Sequence, residues 1–142
     1  MALLDDTYVT GKIHALTGMT LNALKLAIFD DGYTSEIAEM DMTPFYELAE
    51  ENVIQQVRNN GFDYDNLTNA EETLKTPCLY ELASILAEIT ATKADIDPAQ
   101  LHIYKSYLHN KALEYIRQPA TPYEFSTRED SVGILVSKFM EI

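Results

Sequence analysis

Three prolines set what this chain can fold into. Pro44, Pro77 and Pro98 each follow a good helix cap, in Thr43-Pro44, Thr76-Pro77 and Asp97-Pro98. A capping oxygen accepts from an early backbone N–H. Proline at the first helical position gives up only an N–H that has no partner there. Apolar residues at helical spacing follow each proline. The first helix is predicted over Pro44 to Asn60, with a stripe of Phe45, Leu48, Ala49, Val53 and Val57, and Gly61 as its stop. The second is predicted from Pro77 to about Thr92, with Leu79, Leu82, Ala83, Leu86 and Ile89 inward. The third runs from Pro98 to Gln118, with Leu101, Tyr104, Leu108, Ala112 and Tyr115 on one face, and Pro119 ends it.

The first two helices share a run, TPFYELAEEN at Thr43 and TPCLYELASI at Thr76. Tyr-Glu-Leu-Ala follows the two prolines at different offsets. The next Thr-Pro, at Thr121, comes 45 residues on and not 33. A solenoid needs several units at one period. These are therefore two helices started alike, not a repeat.

The N-terminal 42 residues are less patterned. Thr20–Phe29 fits a short helix with Leu21, Leu24 and Ile28 inward, stopped near Gly32, and Thr7–Leu16 reads as strand or loop. Asp30–Asp41 is acidic and expected to be exposed, with one helical turn at Ser35–Met40. PATPYEFSTRED, after Gln118, has two prolines and no apolar period, and reads as an extended arm. Ser131–Met140 suits a helix or a strand. The expected fold is all-α: a small helical bundle with short loops and an extended C-terminal arm. One domain spans 1–118, with a helical core at 43–118 and an extension at 1–42, and the arm spans 119–142.

Charge excludes several functions. The 142 residues carry a net charge of −13: residues 1–51 hold ten acids and two bases, while 98–142 hold five of each. So acidic a surface repels phosphate backbones and anionic lipid, which argues against sequence-reading nucleic-acid binding and membrane attachment. The plain reading is solubility. Two sharper ones are nucleic-acid mimicry and a channel wall past which DNA slides. No apolar run is long enough to span a bilayer. The start MALLDDTYVT lacks signal-peptide character, and Cys78 is the only cysteine, so a soluble protein of a reducing cytoplasm is expected.

Candidate chemistry is sparse. DYDNLTNAEETL, from Asp63, has aspartates at the first and third positions of a calcium loop. It lacks the glycine at six and the glutamate at twelve, so a turn is the better reading. His102 and His109 are seven apart, and His14 stands alone; neither spacing builds a zinc site. Cys78, near a predicted helix start, invites a nucleophile, but no His and Asn signature accompanies it. No phosphate loop or nucleophile elbow occurs. No enzyme activity, cofactor or metal is expected. The third helix is apolar on more than one side. Tyr104, Tyr107 and Tyr115 suit either a central bundle helix or a contact with another subunit.

The order of elements in Thr43–Gln118 resembles the head–tail connector (adaptor, or neck ring) proteins of tailed bacteriophages. The likeness rests on a helix ending at GFDYDNL (Gly61–Leu67), the apolar helix PCLYELASILAEI (Pro77–Ile89), the polar link TATKADID, and AQLHIYKSYLHNKALEYI (Ala99–Ile116). The resemblance implies a structural virion protein in the neck, made in a host cytoplasm. It would form a homo-oligomeric ring between the portal protein and downstream neck or tail proteins. DNA would pass through without specific binding. It also implies an arm that docks on the portal, for which Tyr123, Phe125, Leu135 and Phe139 are the expected anchors. Tyr104, Tyr107 and Tyr115 are the expected subunit interface. The rival is an acidic module that inhibits a DNA-binding partner by charge mimicry.

Overall fold

A computed structural model describes residues 3–29, 40–94 and 97–126. Among them, helices are the only extended regular elements, and the fold is all-α. The order is α1 (Asp6–Thr10), α2 (Ile13–Thr17), α3 (Leu21–Ile28), α4 (Thr43–Asn59), α5 (Ala70–Ala94) and α6 (Pro98–Arg117). A 3-10 turn at Tyr64–Asn66 links α4 to α5.

α5 is the axis of the bundle, and it begins seven residues before the expected Pro77. The Asn69 carbonyl accepts from Thr73 N at 3.2 Å and opens the helix. Glu71 and Glu72 fill the first turn, where the helix dipole favours negative charge. Pro77 therefore lies inside the helix and withholds the N–H that the Thr73 carbonyl would take. The helix survives because Ala70, Leu74, Cys78, Leu82 and Leu86, each four residues apart, are all buried. Leu79, Ala83, Ala87 and Ala91 are buried as well. α5 is thus covered on several sides, by α4 and α6 and by the N-terminal helices.

α4 begins at Thr43, with Met42 at the cap position. The cap is supplied one residue earlier, since Asp41 Oδ1 accepts from Thr43 N at 2.9 Å. Its inward face is rotated from the expected one. Tyr46, Ala49, Glu50, Val53 and Val57 are buried, while Phe45 is half-buried and Leu48 is exposed. Gly61 ends α4 in a left-handed conformation, φ 87°. Gly61 N donates to Arg58 O and Phe62 N to Val57 O, the paired bonds of a Schellman stop. α6 starts as predicted, with Asp97 Oδ1 accepting from Ala99 N at 3.0 Å, and Leu108 and Ala112 are buried as expected, but Ile116 is buried where Tyr115 was expected, and Leu101, Tyr104 and Tyr115 are half-buried.

The N-terminal segment is part of the core and not an extension of it. Thr7–Leu16, expected as strand or loop, forms most of α1 and α2. Asp5 caps α1 by accepting from Tyr8 N at 2.7 Å, and Gly18, φ 75°, closes α2. Thr20 caps α3 as its sequence suggests. Leu3, Leu4, Val9, Ile13, Leu21 and Leu24 join the same apolar cluster as α4–α6. Their transfer from water, roughly 1.5–3 kcal/mol for each large side chain, is what fixes these short helices.

The first eight residues of the expected arm fold back as well. Leu67 and Phe125 form an antiparallel bridge. Thr68 N donates to Glu124 O at 2.8 Å, and Ser126 N to Asn66 O at 2.7 Å. Buried Asn69 clasps the segment twice, donating to Pro122 O and accepting from Glu124 N, both at 2.9 Å. Gly32, Ser35–Glu39 and all of Ser131–Met140 fall outside the described residues. Asn69→Ala removes both bonds of this clasp and leaves α5 intact. The expected loss is about 1–3 kcal/mol of local stability. It is read as faster tryptic cleavage after Arg117, with the helical core surviving as one fragment.

Candidate functional site

Two unlike surfaces are built on this bundle. The first is a groove of about 560 Å³ between the N-terminal segment and α4. Asp5, Asp6, Asp41, Glu47, Glu50 and Glu51 line it. Two of these acids are spent on the fold. Glu50, only 7% exposed, accepts from the backbone N–H groups of Leu3 and Leu4, the latter at 2.8 Å. Asp6 Oδ2 takes Nζ of buried Lys25 at 2.7 Å, and Asp6 Oδ1 takes the Tyr46 hydroxyl at 2.6 Å. α1, α3 and α4 are joined at this point.

The electrostatics follow from that geometry. Burial pushes the Asp6 carboxyl up, but the bonds from Lys25 and Tyr46 and the Lys25 charge outweigh it and leave it below its ordinary value. Burial, then the Asp6 carboxylate, pushes the Tyr46 phenol far up, so Tyr46 stays a donor. Thr43 holds Asp41 below its ordinary value through hydrogen bonds. Asp5, Glu47 and Glu51 remain exposed along the groove and on α4.

The second surface is the outer side of α6. Ile103 is 68% exposed and Tyr107 53%. Lys111 Nζ lies 5.9 Å from the centre of the Tyr107 ring. Tyr115 stacks on Tyr80 of α5, with ring centres 5.5 Å apart. Tyr104 is half-buried against the core. The three tyrosines singled out by sequence therefore differ: Tyr107 faces outward, while Tyr104 and Tyr115 are largely engaged within the chain.

The expected docking anchors divide as well. Tyr123 packs on Phe62, ring centres 4.7 Å apart, and donates its hydroxyl to Ile116 O. Burial pushes its phenol up to about 12. Tyr123 is thus committed to its own core, because the Asn69 clasp turns the chain inward. Phe125 stays largely exposed beside it, while Leu135 and Phe139 lie outside the described residues.

The remaining candidates have structural partners. Glu81, in α5, accepts from Asn52 Nδ2 at 3.3 Å, and its other oxygen lies 3.1 Å from His109 Nδ1. His14 and His102 are exposed. Cys78 is fully buried within α5, and burial pushes its thiol well above the ordinary value, the opposite of an activated nucleophile. In the loop from Asp63, Asp65 pairs with Arg58 at 3.0 Å, and Asn66 donates to Asp63. Among the described residues, no group of three or more His, Cys, Asp or Glu is placed to hold a metal ion. Nor is any described helix long and apolar enough to cross a membrane.

Sequence reasoning missed Glu50 and the Asp6–Lys25–Tyr46 junction. A glutamate on the apolar side of α4 was the available signal. No protein-family model matches the chain, and no curated protein or solved structure does either.

The Asp6 junction has a pH signature. A carboxyl held low when folded contributes stability above its unfolded value, and this is lost as pH falls through the folded value. Stability should therefore decline below about pH 4. Asp6→Asn should cost about 1–2 kcal/mol at pH 7, since Asp6 is half exposed, and should flatten the acid decline. Denaturant unfolding at pH 3, 5 and 7 measures both effects.

Proposed function

We propose that this chain is a head–tail adaptor of a tailed bacteriophage. In this reading it is a structural virion protein that forms a ring below the portal protein. It also meets downstream neck or tail proteins and continues the DNA channel. The observation that carries the reading is the segregation of its surface. Exposed carboxylates are concentrated along α4 and the N-terminal groove, while the two most exposed large apolar side chains among the described residues, Ile103 and Tyr107, stand on α6. A ring around DNA needs both properties. Carboxylates near the lumen repel the duplex and let it pass. Apolar contacts hold subunits whose net charges of −13 repel one another. The order of helices in Thr43–Gln118 adds the resemblance described above.

The acidic groove favours a second reading, an inhibitor that offers carboxylates to a basic DNA-binding protein. Glu50 and Asp6 weaken it, because these groove acids are bonded internally and are not free to mimic phosphates.

Light scattering and sedimentation of the purified chain, mixed with the portal protein of the same genome and separately with duplex DNA, distinguish the two. The adaptor should co-sediment with portal rings and should not retard DNA even at 50 mM salt. A genome without a portal gene, or tight salt-sensitive binding to a basic protein with none to the portal, overturns the adaptor reading.

A further inference from the structure

We propose that the cleft where α2 ends against α5 and α6 is a binding site for a neutral, largely apolar small molecule that carries a hydrogen-bond acceptor. The site does not depend on the adaptor reading. The cleft has a volume of about 450 Å³ and is bordered by Leu16 of α2, Ala87 of α5, and Leu101 and Tyr104 of α6. Thr17, Gly18 and Gln100 complete its lining. Sites for small molecules are concave and mostly apolar, with volumes of about 300–1,000 Å³ and a few placed polar groups.

The cleft stays open because short residues meet there. α2 stops at Gly18 in a left-handed conformation, φ 75°. A Cβ added to Gly18 would meet no atom within 4 Å, so the space beside it is free. The Thr17 hydroxyl is spent on the helix end, bonded to Ile13 O at 2.9 Å and Met19 O at 3.0 Å. Ala87 offers only a methyl group. Leu16, Leu101 and Tyr104 are half-buried around this hollow and keep apolar surface in contact with water. An apolar occupant would remove that surface from water.

The lining also selects charge and polarity. The acidic groove and the cleft beside Glu88, Lys105 and His109 both carry charged side chains. Among the described residues, none lines this one, although the chain carries a net charge of −13. An ion entering it would lose hydration and find no countercharge. A neutral ligand loses far less. Two polar groups are available to it, since the Tyr104 hydroxyl and the Gln100 amide take no partner among the described residues. Burial pushes the Tyr104 phenol up, so it remains a donor at neutral pH. Both groups can donate, which calls for an acceptor on the ligand.

The test titrates the full chain with Nile red, a neutral dye with a carbonyl acceptor whose fluorescence rises in apolar surroundings. Anilinonaphthalene sulfonate, an anionic dye, serves as its counterpart. One Nile red per chain should bind, with a dissociation constant of about 1–100 µM. Ala87→Phe and Gln100→Trp fill the cleft and should each weaken binding by roughly tenfold or more. Gln100 is exposed, so its variant keeps the test decisive if Ala87→Phe does not fold. Tyr104→Phe keeps the volume and should weaken binding by about two- to fivefold. Ile103→Asp, exposed on α6 and outside the cleft, should change nothing. The anionic dye should bind far more weakly. No saturable binding, equal binding of the anionic dye, or a loss in Ile103→Asp with none in Gln100→Trp overturns the proposal. So does a ratio of two chains per dye, which makes a second copy part of the site.

Discussion

Burial of α5 on several sides is the constraint on which the rest depends. Leu74, Leu82 and Leu86 have no exposed surface, and neither has Cys78. A helix this apolar cannot be satisfied by one neighbour. α4 and α6 cover two of its sides, and the third is left to α1–α3. Those helices, of five to eight residues, are too short to persist alone in water. Their helicity comes from Val9, Ile13, Leu21 and Leu24 reaching α5, with Asp5 and Thr20 closing their first turns. The N-terminal segment is thereby the third wall of the bundle. The proline inside α5 is tolerated for the same reason: one missing N–H is small against the side chains buried from Ala70 to Ala91.

Part of the acidity is structural. An ionised carboxylate leaves water only where hydrogen bonds replace its hydration. Glu50 is bonded to two backbone amides, Asp6 to Lys25 and Tyr46, and Glu81 to Asn52 and His109. Each sits where elements distant in sequence meet: the N-terminus with α4, α1 with α3 and α4, and α4 with α5 and α6. Greasy packing is non-directional and fixes the helices loosely about their axes. These three carboxylates are directional and fix the rotation of each helix. They account for the turned face of α4, since a rotation that buried Phe45 and Leu48 would carry Glu50 away from Leu3 and Leu4.

That turn marks where sequence reasoning reached its limit. The all-α class, the stop at Gly61, the cap at Asp97 and the centre of the α6 core face, Leu108 with Ala112, were legible, because each depends on residues within one or two turns. The start of α5 was misread because Thr76-Pro77 imitates a helix opening. Asn69 with Glu71 and Glu72, followed by an apolar residue every fourth position from Ala70, was the competing signal. The inward faces of α1 and α2 carry too few residues to show a period. The Asp6–Tyr46 bond spans 40 residues, and the Asn69–Glu124 bond spans 55. Long-range polar pairs leave no local trace, so the same limit hid the groove and the folded-back segment. The tyrosines of α6 were found by composition, but only their height and rotation separate Tyr107 from Tyr104 and Tyr115.

Net charge also sets how copies of this chain repel one another. Repulsion between two net charges of −13 acts between molecular centres, tens of ångströms apart, beyond the Debye length of about 8 Å at physiological salt. Bonds such as Asp6–Lys25 and Lys105–Glu88 act at contact, at 2.7 and 3.0 Å, inside that length. Ionic strength near the cellular value therefore removes more of the repulsion between copies than of the attraction within one copy, so salt that lets such acidic chains approach leaves their internal junctions in place.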